Sequence, residues 1–198
     1  MQEFWNQRYS EKEYAYGTRA NSWFRHHLRG KLPGRILLPG EGEGRNAVHA
    51  ARAGWAVTAW DYSEAGRDKA LALAADHGVR IDYDIVDLST AVPTAGRFDA
   101  VALVFIHLPP EQRRRLHGLC AQALAPGGML ILEAFSQQQL RYESGGPRSE
   151  ELLYTLRDLR EDFRDLRIVR AERRLRQLRE GAYHAGTASV LRLLALRD

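Results

Sequence analysis

Three apolar residues, Ile36-Leu37-Leu38, run through Pro39 into glycines at alternate positions, Gly40, Gly42 and Gly44. A helical pattern begins at once with Arg45-Asn46-Ala47. Strand, tight turn and helix N-terminus in this order constrain the chain to an α/β unit. Glycine at such a turn lets the backbone take positive φ and lets a ligand lie against the main chain. A second apolar strand, 55–60, ends at Asp61. An acid at the tip of the second strand, roughly 20 residues beyond the glycine turn, is placed to hydrogen-bond both hydroxyls of a ribose. Turn and acid together predict a nucleoside site on a Rossmann-like sheet.

The spacing narrows the ligand. Dinucleotide sites use G-x-G-x-x-G and hold a pyrophosphate at the helix N-terminus. Here the glycines read G-x-G-x-G, Arg45 takes the position of the third dinucleotide glycine, and Glu41 and Glu43 sit inside the turn. Two carboxylates repel a pyrophosphate but suit a ligand with an ammonium and a sulfonium. S-adenosylmethionine has a ribose, an adenine and both cations, and no phosphate. It is the expected cofactor, with S-adenosylhomocysteine as product. An ordinary strand-to-helix turn is the alternative, and Asp61 argues against it.

Periodicity places further strands at 79–85, 98–105 and 129–135, with strand 1 at 35–39 and helices at 20–29, 44–53, 63–76 and 111–124. The run 98–105 is continuously apolar, as in a strand buried on both faces. Beyond 135 the rhythm changes. Residues 136–149 read as a polar loop containing Gly145-Gly146-Pro147, a helix follows at 149–161, and two strands at 165–178 and 187–196 flank a glycine-bearing hairpin turn. The predicted fold is α/β: a mostly parallel, seven-stranded sheet with a terminal antiparallel hairpin and helices on both faces. At 198 residues it reads as one domain: an N-terminal lid (1–30), a cofactor core (31–135) and a substrate region (136–198).

Several function classes fall away. No apolar run is long enough to span a bilayer, and the N-terminus lacks the basic and apolar regions of a secretory signal, so a cytoplasmic protein is expected. A single cysteine, Cys120, excludes an internal disulfide and reads as a core residue, and no His/Cys/Asp cluster has metal-ligand spacing. The net charge of +4 comes mainly from arginine, crowded at 113–115 and 157–179. These arginines are interleaved with acids or lie on amphipathic segments, so solvated faces are expected rather than a nucleic-acid surface.

Taken in order, Trp5-Asn6-Gln7-Arg8-Tyr9, Tyr16-Gly17 with Asn21, Gly40 to Asn46, Asp61-Tyr62-Ser63, Asp87-Leu88, His107-Leu108-Pro109 and Pro126-Gly127-Gly128 resemble the class I S-adenosylmethionine-dependent methyltransferases. Within that superfamily the chain is similar to the small bacterial tellurite-resistance (TehB-like) group. The resemblance implies methyl transfer to a small-molecule acceptor, such as a thiol, selenite or tellurite. It also implies that Gly40, Gly42 and Gly44, together with Glu41 and Asn46, line the methionine and ribose part of the cofactor. Asp61 would bind the ribose, with Tyr62 and Ser63 beside the adenosyl group. Asp87 would accept from the adenine amino group, Leu88 would donate its N–H, and Phe105 would face the methyl group. Arg8, Tyr9 and Tyr16 would form a lid over the site. One departure stands out: the family's usual acid in strand 1 is Leu38 here, and Glu41 or Glu43 is expected to take over its contact with the cofactor ammonium.

Methyl transfer from a sulfonium mainly requires orientation and exclusion of water. Two histidines are candidates for proton transfer: His107, where strand 4 leaves the sheet, and His184, in the hairpin turn. Arg141 and Arg148, flanking the 136–149 loop, are candidates for holding an oxyanion substrate. The rival functions are RNA or protein methylation, a non-catalytic S-adenosylmethionine-binding protein, and an NAD(P)-dependent oxidoreductase. The glycine spacing and the terminal hairpin oppose the last. Oligomeric state is not legible.

Overall fold

A computed structural model describes residues 2–198. Seven strands form one sheet: β1 (Arg35–Pro39), β2 (Ala56–Asp61), β3 (Asp82–Ile85), β4 (Phe98–Val104), β5 (Leu124–Phe135), β6 (Arg167–Arg179) and β7 (Ala185–Leu196). Their order is β3-β2-β1-β4-β5-β7-β6. The first five are mutually parallel, and β7 enters antiparallel between β5 and β6. This is the predicted Rossmann-like sheet with its terminal hairpin. The helices are α1 (Gln2–Tyr9), α2 (Ser22–Leu28), α3 (Arg45–Arg52), α4 (Glu64–Asp76), α5 (Pro110–Ala123) and α6 (Leu156–Asp162).

Alternation along β1 explains the two-sided core. Successive strand side chains point to opposite faces. Leu37 joins Val101, Leu116, Leu132 and Phe163 in the core beneath α5 and α6, whereas Ile36 and Leu38 join Trp23, Phe24, Val48 and Leu73 beneath α2, α3 and α4. Leu38 is fully buried, so its apolar identity is a packing requirement.

The structure corrects several element boundaries. Residues 79–81 do not pair as strand, because the Val79 N–H turns back to the Ala74 carbonyl (3.0 Å) and closes the end of α4. The helix expected at 149–161 is split into a 3-10 turn (Glu150–Leu152) and α6. Between them Tyr154 runs extended and bonds the Phe135 carbonyl (3.2 Å), and Thr155 starts α6 afresh through a capping box with Asp158. The 136–149 loop holds a short 3-10 helix, Gln137–Arg141. In β5, residues 125–128 bulge outward, with Phe98 opposite Leu124 and Ala100 opposite Met129, so regular pairing resumes at Met129.

Among the described residues no helix is long and apolar enough to cross a membrane, and no cluster of His, Cys, Asp or Glu could hold a metal ion.

Candidate functional site

At the C-terminal edge of the parallel strands, Gly40, Gly42 and Gly44 take φ values of 62°, 62° and 85°. Gly44 has no room for a side chain: a Cβ there would lie 2.7 Å from the Ala70 Cα, so α4 packs directly on the turn. Asp61 organises the same turn. Its carboxylate accepts from the Gly42 N–H and the Ser63 N–H, both at 2.9 Å, and burial raises its pKa despite these donors.

The two glutamates of the turn behave unlike the sequence expectation. Glu41 points into the protein, where it accepts from the Asn46 and Ala47 N–H groups, both at 2.7 Å. It supplies the acceptor that Gly44, the N-cap of α3, lacks. Burial raises its pKa to about 7. Glu43 pairs with Lys69 Nζ at 2.9 Å, leaving its second oxygen buried without a partner. Neither carboxylate is a simple replacement for an acid at position 38: Glu41 is committed to the helix and Glu43 is neutralised by lysine.

The adenosine-side candidates are distributed as follows. The Ser63 Oγ caps α4 at the Gly66 N–H (3.1 Å) and donates to Asn6 Oδ1 (2.6 Å). It is thereby occupied as a helix cap. The half-buried Tyr62 accepts the Gln2 amide at its carbonyl (3.1 Å). Asp87 closes a turn by accepting the Ser89 N–H at 2.8 Å through one carboxylate oxygen. Leu88 and Ile106 pack over Gly40. Asn46 accepts the Asn21 N–H at 2.9 Å and so fixes α2 to α3.

The N-terminal segment covers the turn. Tyr9 is buried against Gly42, where a Cβ would lie 2.7 Å from its hydroxyl, and its ring stacks on Trp5. Arg8 donates to the Tyr16 hydroxyl (3.3 Å) and lies 3.7 Å over the Tyr183 ring. Gly181 of the β6–β7 turn presses against the backbone of Ala15 and Gly17. Lid and hairpin tip thus meet directly.

His184 lies at that meeting point, buried, with ring centroids 4.4 Å from Tyr16, 4.6 Å from Phe105 and 5.3 Å from Phe135. Gly145 of the 136–149 loop closes over its edge. Nδ1 is buried without a hydrogen bond, 3.7 Å from Glu180 Oε2, and burial lowers the ring's pKa against the opposing pull of Glu180. Phe105, just past β4, is the one described non-glycine residue with positive φ, at 55°. Strain of this kind persists only where the surroundings enforce it.

His107, the other candidate base, is different. Nδ1 bonds the Leu152 carbonyl at 2.7 Å, and Nε2 accepts the Phe135 N–H at 3.2 Å. Burial holds its pKa near 4, so the ring is neutral with both nitrogens committed. It braces the β4 tip to β5 and the Leu152 turn. Arg141 and Arg148 lie on the outer side of their loop. Both are exposed, and Arg148 donates to the Tyr142 carbonyl (2.9 Å), because their loop folds its buried Gln139 and Ser144 inward onto β7 and leaves the arginines outside.

Sequence reading missed a buried ionic network. Glu133 in β5 is fully buried and holds Arg176, Arg192 (2.5 Å) and the Asn21 amide (2.8 Å). Glu180 then joins Arg176 (2.6 Å) to Arg45 (2.8 Å) at the glycine turn. One signal was available: a glutamate within the apolar run Met129-Leu130-Ile131-Leu132-Glu133-Ala134-Phe135 must be paired if buried. The partners, more than 40 residues away, were not readable.

The site's chemistry fits an adenosyl ligand. The turn keeps its main chain free of side chains, and Asp61 and Asp87 are acceptors suited to hydroxyl and amino donors. The buried, unpartnered Glu43 Oε2 and His184 Nδ1 add polar atoms with unused capacity.

Comparison with known proteins agrees with this geometry. Residues 36–128 match the model of a family described as a methyltransferase domain. No curated protein matches the chain in sequence. Among solved structures, TehB from Haemophilus influenzae is similar over 100% of this chain and 67% of its own, at 16% identity and a TM-score of 0.76. A protein studied for the conversion of a disulfide bond into a thioacetal group during echinomycin biosynthesis is 18% identical, covering 100% and 92%, with a TM-score of 0.80. The N-methyltransferase NodS from Bradyrhizobium japonicum WM9, in complex with S-adenosyl-L-homocysteine, is 15% identical, covering 100% and 98%, with a TM-score of 0.72. At these identities the likeness is one of fold.

Proposed function

We propose that this chain is a cytoplasmic S-adenosylmethionine-dependent methyltransferase whose acceptor is a small nucleophile, a thiol or a chalcogen oxyanion. The observation behind the reading is the convergence, at one sheet edge, of the glycine turn with Asp61 and the aromatic cluster around His184. A neighbour of the same fold holds S-adenosyl-L-homocysteine, another is studied for chemistry at a disulfide, and a third is TehB. These support the cofactor and the acceptor class respectively.

S-adenosylmethionine, when bound, supplies a methyl group already activated on sulfur. The chain's own residues then have limited work. The glycine turn and Asp61 hold the ribose end, and Asp87 with the Leu88 N–H selects adenine. Tyr9 and Tyr16 exclude water. Arg8 has no carboxylate partner among the described residues and lies at the lid, so it orients an anionic acceptor. His184 keeps its Nδ1 proton toward Glu180, leaving Nε2 to take the proton of a thiol. Selenite and tellurite arrive with a lone pair and need no base.

Calorimetric titration with S-adenosylmethionine, S-adenosylhomocysteine and NADH tests the cofactor. The first two should saturate and the third should not bind. An acceptor screen with selenite, tellurite and small thiols follows. Leu38, buried where the family has an acid, favours a second reading, a protein that binds the adenosyl group without turnover. Saturable binding with no methylated product from any acceptor would select it.

A further inference from the structure

Some 12 Å along α3 from the glycine turn, by the rise of an eight-residue helix, lies a second feature. The last turns of α2 and α3 and the chain leading to β1 bound a cleft of about 660 Å³. This is the size range of small-molecule sites. Arg25, His26, Arg29, Lys31 and His49 line it, and no acid does.

Among the described residues most arginines meet no carboxylate, so what sets these basic side chains apart is their convergence on one cleft without an acid in its lining. Arg45, Arg113, Arg167, Arg170, Arg176 and Arg192 each meet a carboxylate. Among the described residues, Arg25, Arg29 and Lys31 meet none. Helix dipoles account for part of this basic character, because both helices end at the cleft. Each C-terminus amounts to roughly half a negative charge, so two of them offset about one of the three permanent cations. About two positive charges remain, before either histidine or the neighbouring Arg52 is counted.

A smaller cleft of about 250 Å³ adjoins the first at Ser22 and His26, but its arginines are already paired, with Glu172 or Glu133. Beside His26, at a ring separation of 4.9 Å, His27 has its Nε2 buried without a partner. Burial first, and then the neighbouring His26, Arg170 and Lys31, push its pKa down to about 4.

We infer that the larger cleft is a binding site for a small, multiply charged oxyanion of the phosphate class, separate from the glycine turn. Guanidinium forks at Arg25 and Arg29 offer bidentate donors, Lys31 adds charge, and His26 adds a ring N–H donor. The shared chemistry is a polyphosphate chain, free or carried by a nucleotide.

The test is calorimetric titration of the whole chain with tripolyphosphate and, separately, with ATP, at physiological salt. One saturable site is expected for each. Equal affinities mean the phosphate chain alone is read, and tighter ATP binding means the nucleoside also contacts the cleft. Arg25→Glu and Lys31→Glu should each weaken binding by about tenfold or more. Arg114→Glu, the same charge change at an exposed position on α5, should weaken it less than about twofold. Lys31→Gln, at an exposed site, reads the same loss should a charge reversal impair folding, which thermal unfolding monitors. The inference is overturned if neither probe saturates, or if Arg114→Glu weakens binding as much as Lys31→Glu. It is also overturned if single-stranded RNA binds with a salt slope that grows with length, which marks a nucleic-acid track.

Discussion

Two tips of the sheet each carry a histidine, and they are built to opposite rules. At the end of β4, His107 gives one ring nitrogen to a backbone carbonyl and the other to a backbone N–H. At the β6–β7 turn, His184 is buried among aromatic rings with Nδ1 unpaired and Glu180 at 3.7 Å. Desolvation lowers the pKa of both. A perturbed pKa therefore does not separate them, and hydrogen-bond capacity does. An imidazole with both nitrogens committed to the main chain is part of the scaffold. One with an unmet bond beside a carboxylate keeps hydrogen-bonding capacity in reserve, at a cost of the order of 1–3 kcal/mol in stability.

This contrast can be broken by experiment. The largest effect is expected from His184→Ala assayed with a thiol acceptor, where loss of the base should lower kcat by about 10²–10⁴-fold. With tellurite the same variant should lose less than about tenfold, since no proton is moved. Equal losses on both acceptors would reduce His184 to a positioning residue. Next comes His107→Leu. It strands the Phe135 N–H and the Leu152 carbonyl, so denaturant unfolding should register a loss of about 3 kcal/mol. A change under about 0.5 kcal/mol would sink the bracing role.

The acid limb of stability should separate the tips again. His107 has its pKa lowered from 6.5 to about 4, so its contribution is complete above pH 6.5 and is lost as pH falls toward 4. Glu180 is pushed up by burial, yet His184, Arg45 and Arg176 outweigh that and hold it at about 2. Its contribution is complete above its usual 4.5 and is lost as pH falls toward 2. Melting temperatures from pH 7 to pH 2 should show His107→Gln flattening the upper window and Glu180→Gln the lower one. The smallest effect belongs to Arg141→Ala and Arg148→Ala. Each should change stability by less than about 0.5 kcal/mol and leave the acceptor KM unaltered. A KM rise with tellurite would instead support the oxyanion role expected of them from sequence.

Local chemistry made much of the molecule legible. The strand-glycine-helix sequence from Ile36 to Ala47 requires its turn, because three positive φ values in five residues demand glycines. Asp61 at the tip of β2 follows from the length of the intervening helix and strand. The hairpin follows from Gly181 and Gly186 between the arginine-rich segment 165–178 and the apolar segment 187–196, and an antiparallel last pair then follows from the short connection. The roles of Glu41 and Ser63 were harder to read. A glutamate inside a cofactor-type turn and one capping the next helix look alike in sequence, and only the direction of the side chain decides.

Sequence alone therefore determined the order of elements and the glycine turn at the sheet edge, since each rests on contacts or φ requirements within a few residues. The tertiary structure decided the rest. It joined Arg45, Glu133, Glu180 and Arg192 into one network, brought Tyr16, Phe105 and His184 within ring contact, and tied His107 to Leu152. Those contacts span tens of residues or more along the chain. Whether a buried polar atom is satisfied depends on what the fold brings to within 3 Å of it, and no local pattern encodes that distance.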